Sequence, residues 1–331
     1  MQRKKFIQQL ALTGLSLSGI KTFAFQPIHH AKSKSVKIGW ITDVHHGYCK
    51  DASSRLKHFI NHANKVKPDL IIQGGDFCHP TPEAASFMDI WNGFKGDKYH
   101  VLGNHDMDKG SKQQVMELWG MRERYYSFDK GDFRFFVLDC NHILQDGRYV
   151  DYEKSNYYID SNKRDLIDPK QIEWLRQSLS ETEKQCVIIS HQSFDDVWTG
   201  YTVPNKMMVR NAIDEANKKS GYQKVIACFC GHHHLDHHMV INDVHYVHIN
   251  SASYYYAGEG YGSDGGMAMY SDPLYCFVTI DPKGKIIIEG REGHFISPTP
   301  AEKNHPHADK ISARIEGKEV GFKKNEKPLS S

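Results

Sequence analysis

The 331-residue chain has no long, dry run of apolar residues. Hydrophobic residues make up 39% and charged residues 25%, a balance too polar for a membrane bundle. It has little net charge, formally +2, so no strong overall field draws in nucleic acid. It also has no basic stripe, which argues against a nuclease. Its seven cysteines form no CxxC pair and no zinc-finger spacing, and because seven is odd at least one is unpaired within the chain. Cys228 and Cys230 alternate on a strand and read as small core residues. Cys49 and Cys78 follow two strand ends, but no disulfide is expected there. No internal repeat is visible. What is plentiful is histidine, with 21 residues. The motifs below use only five of them, so most must be structural or surface groups.

The chain is organised around Val101-Leu102-Gly103-Asn104-His105-Asp106. Tyr99, Val101 and Leu102 read as a buried strand, and Gly103 lets the backbone turn sharply. An amide oxygen, an imidazole and a carboxylate then follow in a row. On extended backbone Asn104 and His105 would point opposite ways, one to a metal and one to a substrate. An apolar run ending in Asp, Asn or His recurs at Asp43-x-His45, Asp76, His191 and His232-x-His234. Each alone has an ordinary reading: loop or turn polarity at Asp43-x-His45 and Asp76, a satisfied strand-end histidine at His191, a stray metal-binding cluster at 232–234. Five such strand ends in one chain point to a metal site, because ligands bind at the carboxyl ends of strands in α/β sheets. The i, i+2 pairs would converge on one side if the backbone is extended. Imidazole, carboxylate and amide oxygen together suit Mn, Fe, Zn or Ni rather than Ca. The donors are too many for one tetrahedral zinc and enough for two divalent ions sharing a carboxylate.

Residues 1–24 read as an export signal. Arg3, Lys4 and Lys5 give a basic start, an apolar run follows, and Thr22-Phe23-Ala24 resembles a cleavage site. Arg3-Lys4-Lys5-Phe6-Ile7 is similar to a twin-arginine signal with Lys4 where the second arginine belongs, so the expected destination is the periplasm. An amphipathic helix kept in the mature protein is the alternative. Residues 25–35 form a polar linker, 36–296 the folded domain, and 297–331 a flexible tail rich in Lys, Pro, Asn and Ser. Within the domain, strands are expected at 36–44, 70–73, 133–139, 186–189 and 225–229, besides the central one. Helices are expected at 52–66, 82–94, from Pro169 with Ile172, Leu175 and Leu179 on one face, and at 205–219. This alternation predicts an α/β protein with a largely parallel sheet. Two later hairpins turn at Asn242-Asp243 and at 281–284.

The ordered set Asp-x-His, Gly-Asp, Gly-Asn-His-Asp, His and Gly-His-x-His, spread over roughly residues 36–291, resembles the signature of calcineurin-like metallophosphoesterases. The resemblance implies a four-layer α/β/β/α sandwich with mixed sheets. It also implies a dinuclear centre that hydrolyses phosphoric esters by a bridging hydroxide. Carried over by position, Asp43, His45, Asp76 and His234 would hold one metal. Asp76 would bridge to a second, held also by Asn104, His191 and His232. His105 would be the catalytic imidazole, oriented by Asp106. Two dications, two carboxylates and one hydroxide leave about one positive charge, suited to a phosphate anion. Purple acid phosphatases place a metal-binding tyrosine three residues after this aspartate. His79 stands there, so an iron–tyrosinate centre is not expected.

The stretch 141–166 is a long polar segment with Tyr149, Tyr152, Tyr157 and Tyr158, and Tyr254-Tyr255-Tyr256 follows Ser251-Ala252-Ser253. A loop this long inside a compact domain is usually functional or disordered. An aromatic cap over a small phosphodiester or nucleotide-type substrate is one reading, ordinary tyrosine packing the other. The functional alternatives are a phosphomonoesterase that scavenges phosphate and a metal-binding module without turnover.

Overall fold

The computed structural model describes residues 34–197, 202–263 and 265–325. The expected export segment, most of the linker and the last six residues of the tail lie outside them. Five α-helices stand among the described residues: α1 (Ala52–Val66), α2 (Ala84–Asn92), α3 (Lys112–Trp119), α4 (Pro169–Ser180) and α5 (Met207–Ser220). None of their helices is long and apolar enough to cross a membrane.

Local chemistry sets the helix ends. In α1, Ala52, Leu56, Phe59, Ile60 and Ala63 form one buried stripe, and the helix closes on Lys67 in the left-handed region before Pro68. Pro169 starts α4, and the Asp168 carboxylate accepts the Lys170 N–H. Sequence reading passed over α3. Its signal was a capping box, in which Ser111 and Gln114 satisfy each other's backbone N–H groups.

Two six-stranded sheets form the centre. The first runs Lys318–Gly321, Lys285–Glu289, Cys276–Asp281, Val36–Ile41, Leu70–Gln73, Asp97–His100. The second runs His237–Ile241, Val244–His248, Val225–Cys230, Gln185–Ile189, Phe133–Val137, Tyr126–Lys130. Neither is the largely parallel sheet expected. Each has a parallel set fed by crossovers, flanked by antiparallel strands.

Side-chain alternation explains the layering. Ile38, Trp40 and Ile72 of the first sheet meet Phe135, Val187, Ile189 and Phe229 of the second in a core between the sheets. Their neighbours Ile41 and Ile71 point outward to Leu56, Phe59 and Phe87 of α1 and α2. Ile188 and Phe136 point the other way, to Leu175, Leu179 and Ile213 of α4 and α5. Both sheets are therefore apolar on both faces, and the four layers are α/β/β/α.

The tail needs correction. Lys318–Gly321 adds an edge strand to the first sheet, and Ile311, Ala313, Ile315 and Phe322 join the core between the sheets. Low overall apolarity hid a short period-2 pattern that is enough to pair with an existing edge. The stretch 141–166 is also no open loop. Its Asp146-Gly147 turn, with both residues at positive φ, closes a hairpin of His142–Gln145 and Arg148–Asp151.

Candidate dinuclear metal centre

The candidate residues stand just past the carboxyl ends of parallel strands from both sheets. Asp43, Asp76 and Asn104 follow strands of the first sheet; His191, His232 and His234 follow strands of the second. Backbone hydrogen bonds zip the loops beyond the strands. The Asp43 N–H donates to Gly75 O at 3.0 Å, the His45 N–H to Asp76 O at 2.9 Å, and the Gly231 N–H to His191 O at 3.0 Å. Across the sheets, the His232 N–H donates to Asp43 Oδ2 at 3.2 Å. Ser251 and Ser253 use their hydroxyls on the Asp43 and Val44 carbonyls.

The convergence of the i, i+2 pairs does not come from extended backbone. Asp43, His45, Asp76, His232 and His234 all have φ between 49° and 68°. Each loop kinks through the left-handed region, which Asp and His tolerate better than most residues and which concentrates at functional sites. Asn104 and His105 are likewise not extended. The strand ends at His100, Asn104 is right-handed helical, and His105–Met107 is a turn of 3-10 helix.

Two groups of ligand atoms result, each with its atoms within 4.8 Å of one another: Asp43, His45, His234 and Asp76, His191, His232. Asp43 Oδ1 lies 3.1 Å from His234 Nε2, and Asp76 Oδ2 lies 3.1 Å from His191 Nε2. The groups share a wall, because Asp76 Oδ2 is 3.8 Å from His45 Nε2 and Asp43 Oδ1 is 3.8 Å from His191 Nε2. Two donors about 2.1 Å from one ion at a tetrahedral angle lie roughly 3.4 Å apart, so these spacings suit coordination. The Nδ1 atoms of His191 and His234 bond to Gly74 O and Tyr254 O, which turns their Nε2 atoms inward. Asp43 Oδ1, His191 Nε2 and Asn104 Oδ1 are buried without a hydrogen-bond partner among the described residues. Atoms like these are costly unless a cation satisfies them.

The electrostatics fit cation binding. Burial pushes His45 down to about 3 and His232 down to about 4, leaving neutral imidazoles as donors. Burial also opposes charge on His191, but Asp76 and Asp43 overcome it and push this imidazole up to about 10. The carboxylates thus create a field that favours positive charge in the site.

Two glycines make the approach possible. A Cβ on Gly75, which sits at φ +101°, would collide with the His191 ring, and one on Gly103 would collide with Asp76.

The structure places His105 beside this centre, with its ring centroid 5.5 Å from that of His45. Asp106, expected to orient His105, turns both its oxygens to backbone N–H groups. Asp106 is buried and accepts the backbone N–H groups of Gly103, Asp76, Phe77 and Cys78 at 2.6–3.1 Å. The His105 Nδ1 instead meets Asp108 Oδ2 at 2.7 Å. Sequence reading missed Asp108 because it assumed an extended segment. On one helical turn, i and i+3 face each other.

The family model for calcineurin-like phosphoesterases matches residues 36–236, more than half the chain. No curated protein matches the sequence. Among solved structures, a dimetal phosphatase from Danio rerio is similar at TM-score 0.60 and 13% identity, with 87% of this chain and 99% of that one covered. GAP50, the anchor in the inner membrane complex of Plasmodium, is similar at TM-score 0.54 and 15% identity, with 88% and 90% covered. At such identities the likeness concerns the fold.

Proposed function

Because the chain belongs to the calcineurin-like phosphoesterase family, and is thereby a phosphoric ester hydrolase, we propose that it works with two divalent cations on a small phosphoester with an organic ring. The observation that carries this reading is the pair of adjoining buried ligand groups, with Asp43 Oδ1, His191 Nε2 and Asn104 Oδ1 unpaired. Asp43, His45 and His234 would hold one cation; Asp76, His191, His232 and Asn104 would hold the other, with Asp76 between them. Ions bound there would supply an activated water as nucleophile and Lewis acidity for the phosphoryl oxygens.

The chain's own groups do the rest. Burial opposes a charge on His105, but the carboxylates of Asp76 and Asp108 outweigh it and raise the imidazole above its usual value. That favours the protonated ring, the form that could give a proton to a leaving oxygen. Tyr48, Tyr158 and Tyr256 are 40%, 64% and 49% exposed. Burial raises the pKa of Tyr158, and Asp108, Asp76 and the phenol of Tyr256, which lie within its electrostatic reach, raise it further. Exposed phenol faces there suit stacking on a ring in the ester's organic part and favour a phosphodiester or nucleotide-type substrate over a bare scavenged monoester. The filled ligand set argues against a binding module without turnover.

The test is a metal-supplemented assay of a nitrophenyl monoester against a bis-nitrophenyl diester, with His105→Ala and Asp76→Ala as controls. Faster turnover of the diester is expected, lost in Asp76→Ala and only reduced in His105→Ala, because nitrophenolate needs little help to leave. Equal rates in wild type and Asp76→Ala would defeat the reading.

A further inference from the structure

Arg55, on α1, is a buried cation, only 3% exposed. Its carboxylate partner is Asp51 one turn earlier, which takes Nε at 2.9 Å and Nη2 at 2.8 Å and is itself half-exposed. The rest of the guanidinium points inward to two backbone carbonyls. Nη1 donates to Ala252 O at 3.1 Å and Nη2 to Tyr270 O at 2.5 Å. A charge is costly to bury unless it is paired and hydrogen-bonded, and here it is both. The planar, rigid fork holds its two acceptors at fixed positions, which a lysine could not do.

What the fork grips is the segment that backs one side of the metal centre. Ser251 and Ser253 flank Ala252. The Ser251 hydroxyl donates to Asp43 O at 3.0 Å and the Ser253 hydroxyl to Val44 O at 2.9 Å. The Ala252 N–H donates to Thr42 O, and the Tyr270 N–H to Ser253 O. Tyr254 then gives the carbonyl that meets His234 Nδ1 at 2.6 Å. The loop carrying Asp43 and His45 and the ring of His234 therefore all lean on 251–254, and these three residues form one ligand group. The other group is braced elsewhere. His191 Nδ1 is held by Gly74 O, and the backbone of Asp76 by the Asp106 carboxylate. Neither of those contacts involves Arg55 or 251–254.

We propose that Arg55 is a positioning residue for one cation of the two, the one that Asp43, His45 and His234 would hold. Acting through Ala252 and Tyr270, it fixes the Tyr254 carbonyl and so the direction of His234 Nε2. This rests on the two-cation reading above and deepens it, because it makes the affinities of the two ions separately adjustable from the outer face of a helix. Asp51 balances the charge of Arg55, so the effect is one of geometry and not of field. Groups that orient a metal ligand from behind change metal affinity about 10–100-fold when they are lost.

Two backgrounds separate the ions. His191→Ala removes a ligand of the second cation and leaves the first group whole; His45→Ala does the reverse. Mn2+ is titrated into each metal-free protein, and the free ion is followed by its EPR signal. Arg55→Met keeps the apolar stem and loses the fork. It should raise the Kd for Mn2+ about 10–100-fold in the His191→Ala background and less than about threefold in the His45→Ala background. Arg55→Lys, which reaches one carbonyl at a time, should fall between Arg55→Met and Arg55 itself. A merely structural arginine would shift both backgrounds alike or neither, and either result would overturn the proposal.

If Arg55→Met does not fold, Asp51→Asn serves. It leaves Arg55 in place, turns an NH2 group toward the fork, and should show the same one-sided loss more weakly. Wild type that takes up no Mn2+ would overturn the two-cation reading and this inference together. Two ions on wild type, with equal weakening in both backgrounds, would overturn this inference alone.

Discussion

Asp106 and Asp108 are two residues apart and have separate tasks. Asp106 ties the loop carrying Asp76 to the loop carrying His105 by accepting four backbone N–H groups. Asp106→Asn keeps the shape but turns an NH2 group toward two of those donors. Each buried group left unsatisfied costs about 1–3 kcal/mol, so a loss of roughly 3 kcal/mol is expected, read as a lower urea midpoint with an unchanged slope. An unaltered midpoint would mean that water replaces the lost acceptor. The sequence offers both aspartates, and it is the Asp108 carboxylate that meets the His105 ring. The Gly-Asn-His-Asp string does not reveal that the strand has already ended at His100 and that Asn104 begins a helical turn.

Among the elements, α3 and the inserted hairpin are bound by a charge cluster that is buried at Lys112 and Asp139 and exposed at Asp151. Lys112 Nζ lies 2.6 Å from Asp139 Oδ2 and 2.9 Å from Asp151 Oδ1, and Asn141 O accepts from it as well. Although Asp139, His142 and Asp151 are grouped like metal ligands, the Lys112 ammonium already serves as their cation. Burial opposes ionisation of Asp139, yet Lys112 and His142 outweigh it and hold its pKa below the usual value. The folded value is thus depressed relative to the unfolded one. The resulting stability is fully present above about pH 4, the unfolded aspartate value, and is lost as pH falls through the folded value. A melting temperature that drops on acidification below about pH 4, with a shallower drop in Asp139→Asn, is the expected result. Parallel slopes in the two proteins would show that this pair carries no pH linkage. Helices such as α1 and α4 were legible because a 3.6-residue stripe and their end residues are local signals. The cluster was not, because its lysine and aspartates lie 27 and 39 residues apart in the chain.

At the scale of the whole molecule, the site exists because two sheets lie face to face and bring their strand ends together. Neither sheet carries a full ligand group for both ions. The C-terminal stretch belongs to this arrangement, since Lys318–Gly321 closes the edge of the first sheet and Ile311, Ala313 and Ile315 enter the shared core. Ending the chain at Ser297 should therefore lower thermal stability sharply and reduce soluble yield. Burying one side chain of the Ile class stabilises by about 1.5–3 kcal/mol, and several such residues would be lost. A truncated protein melting with the full chain would contradict this. By itself the sequence determined the family, the helices with strong stripes, and the set of strand ends carrying Asp, Asn and His, because periodicity and residue type are written locally. Only the tertiary structure decided that the ligand loops kink through left-handed backbone, that Arg55 reaches the carbonyls of Ala252 and Tyr270, and that the tail completes a sheet. Those outcomes depend on contacts between segments far apart in the chain, where no local pattern fixes which partner each group will meet.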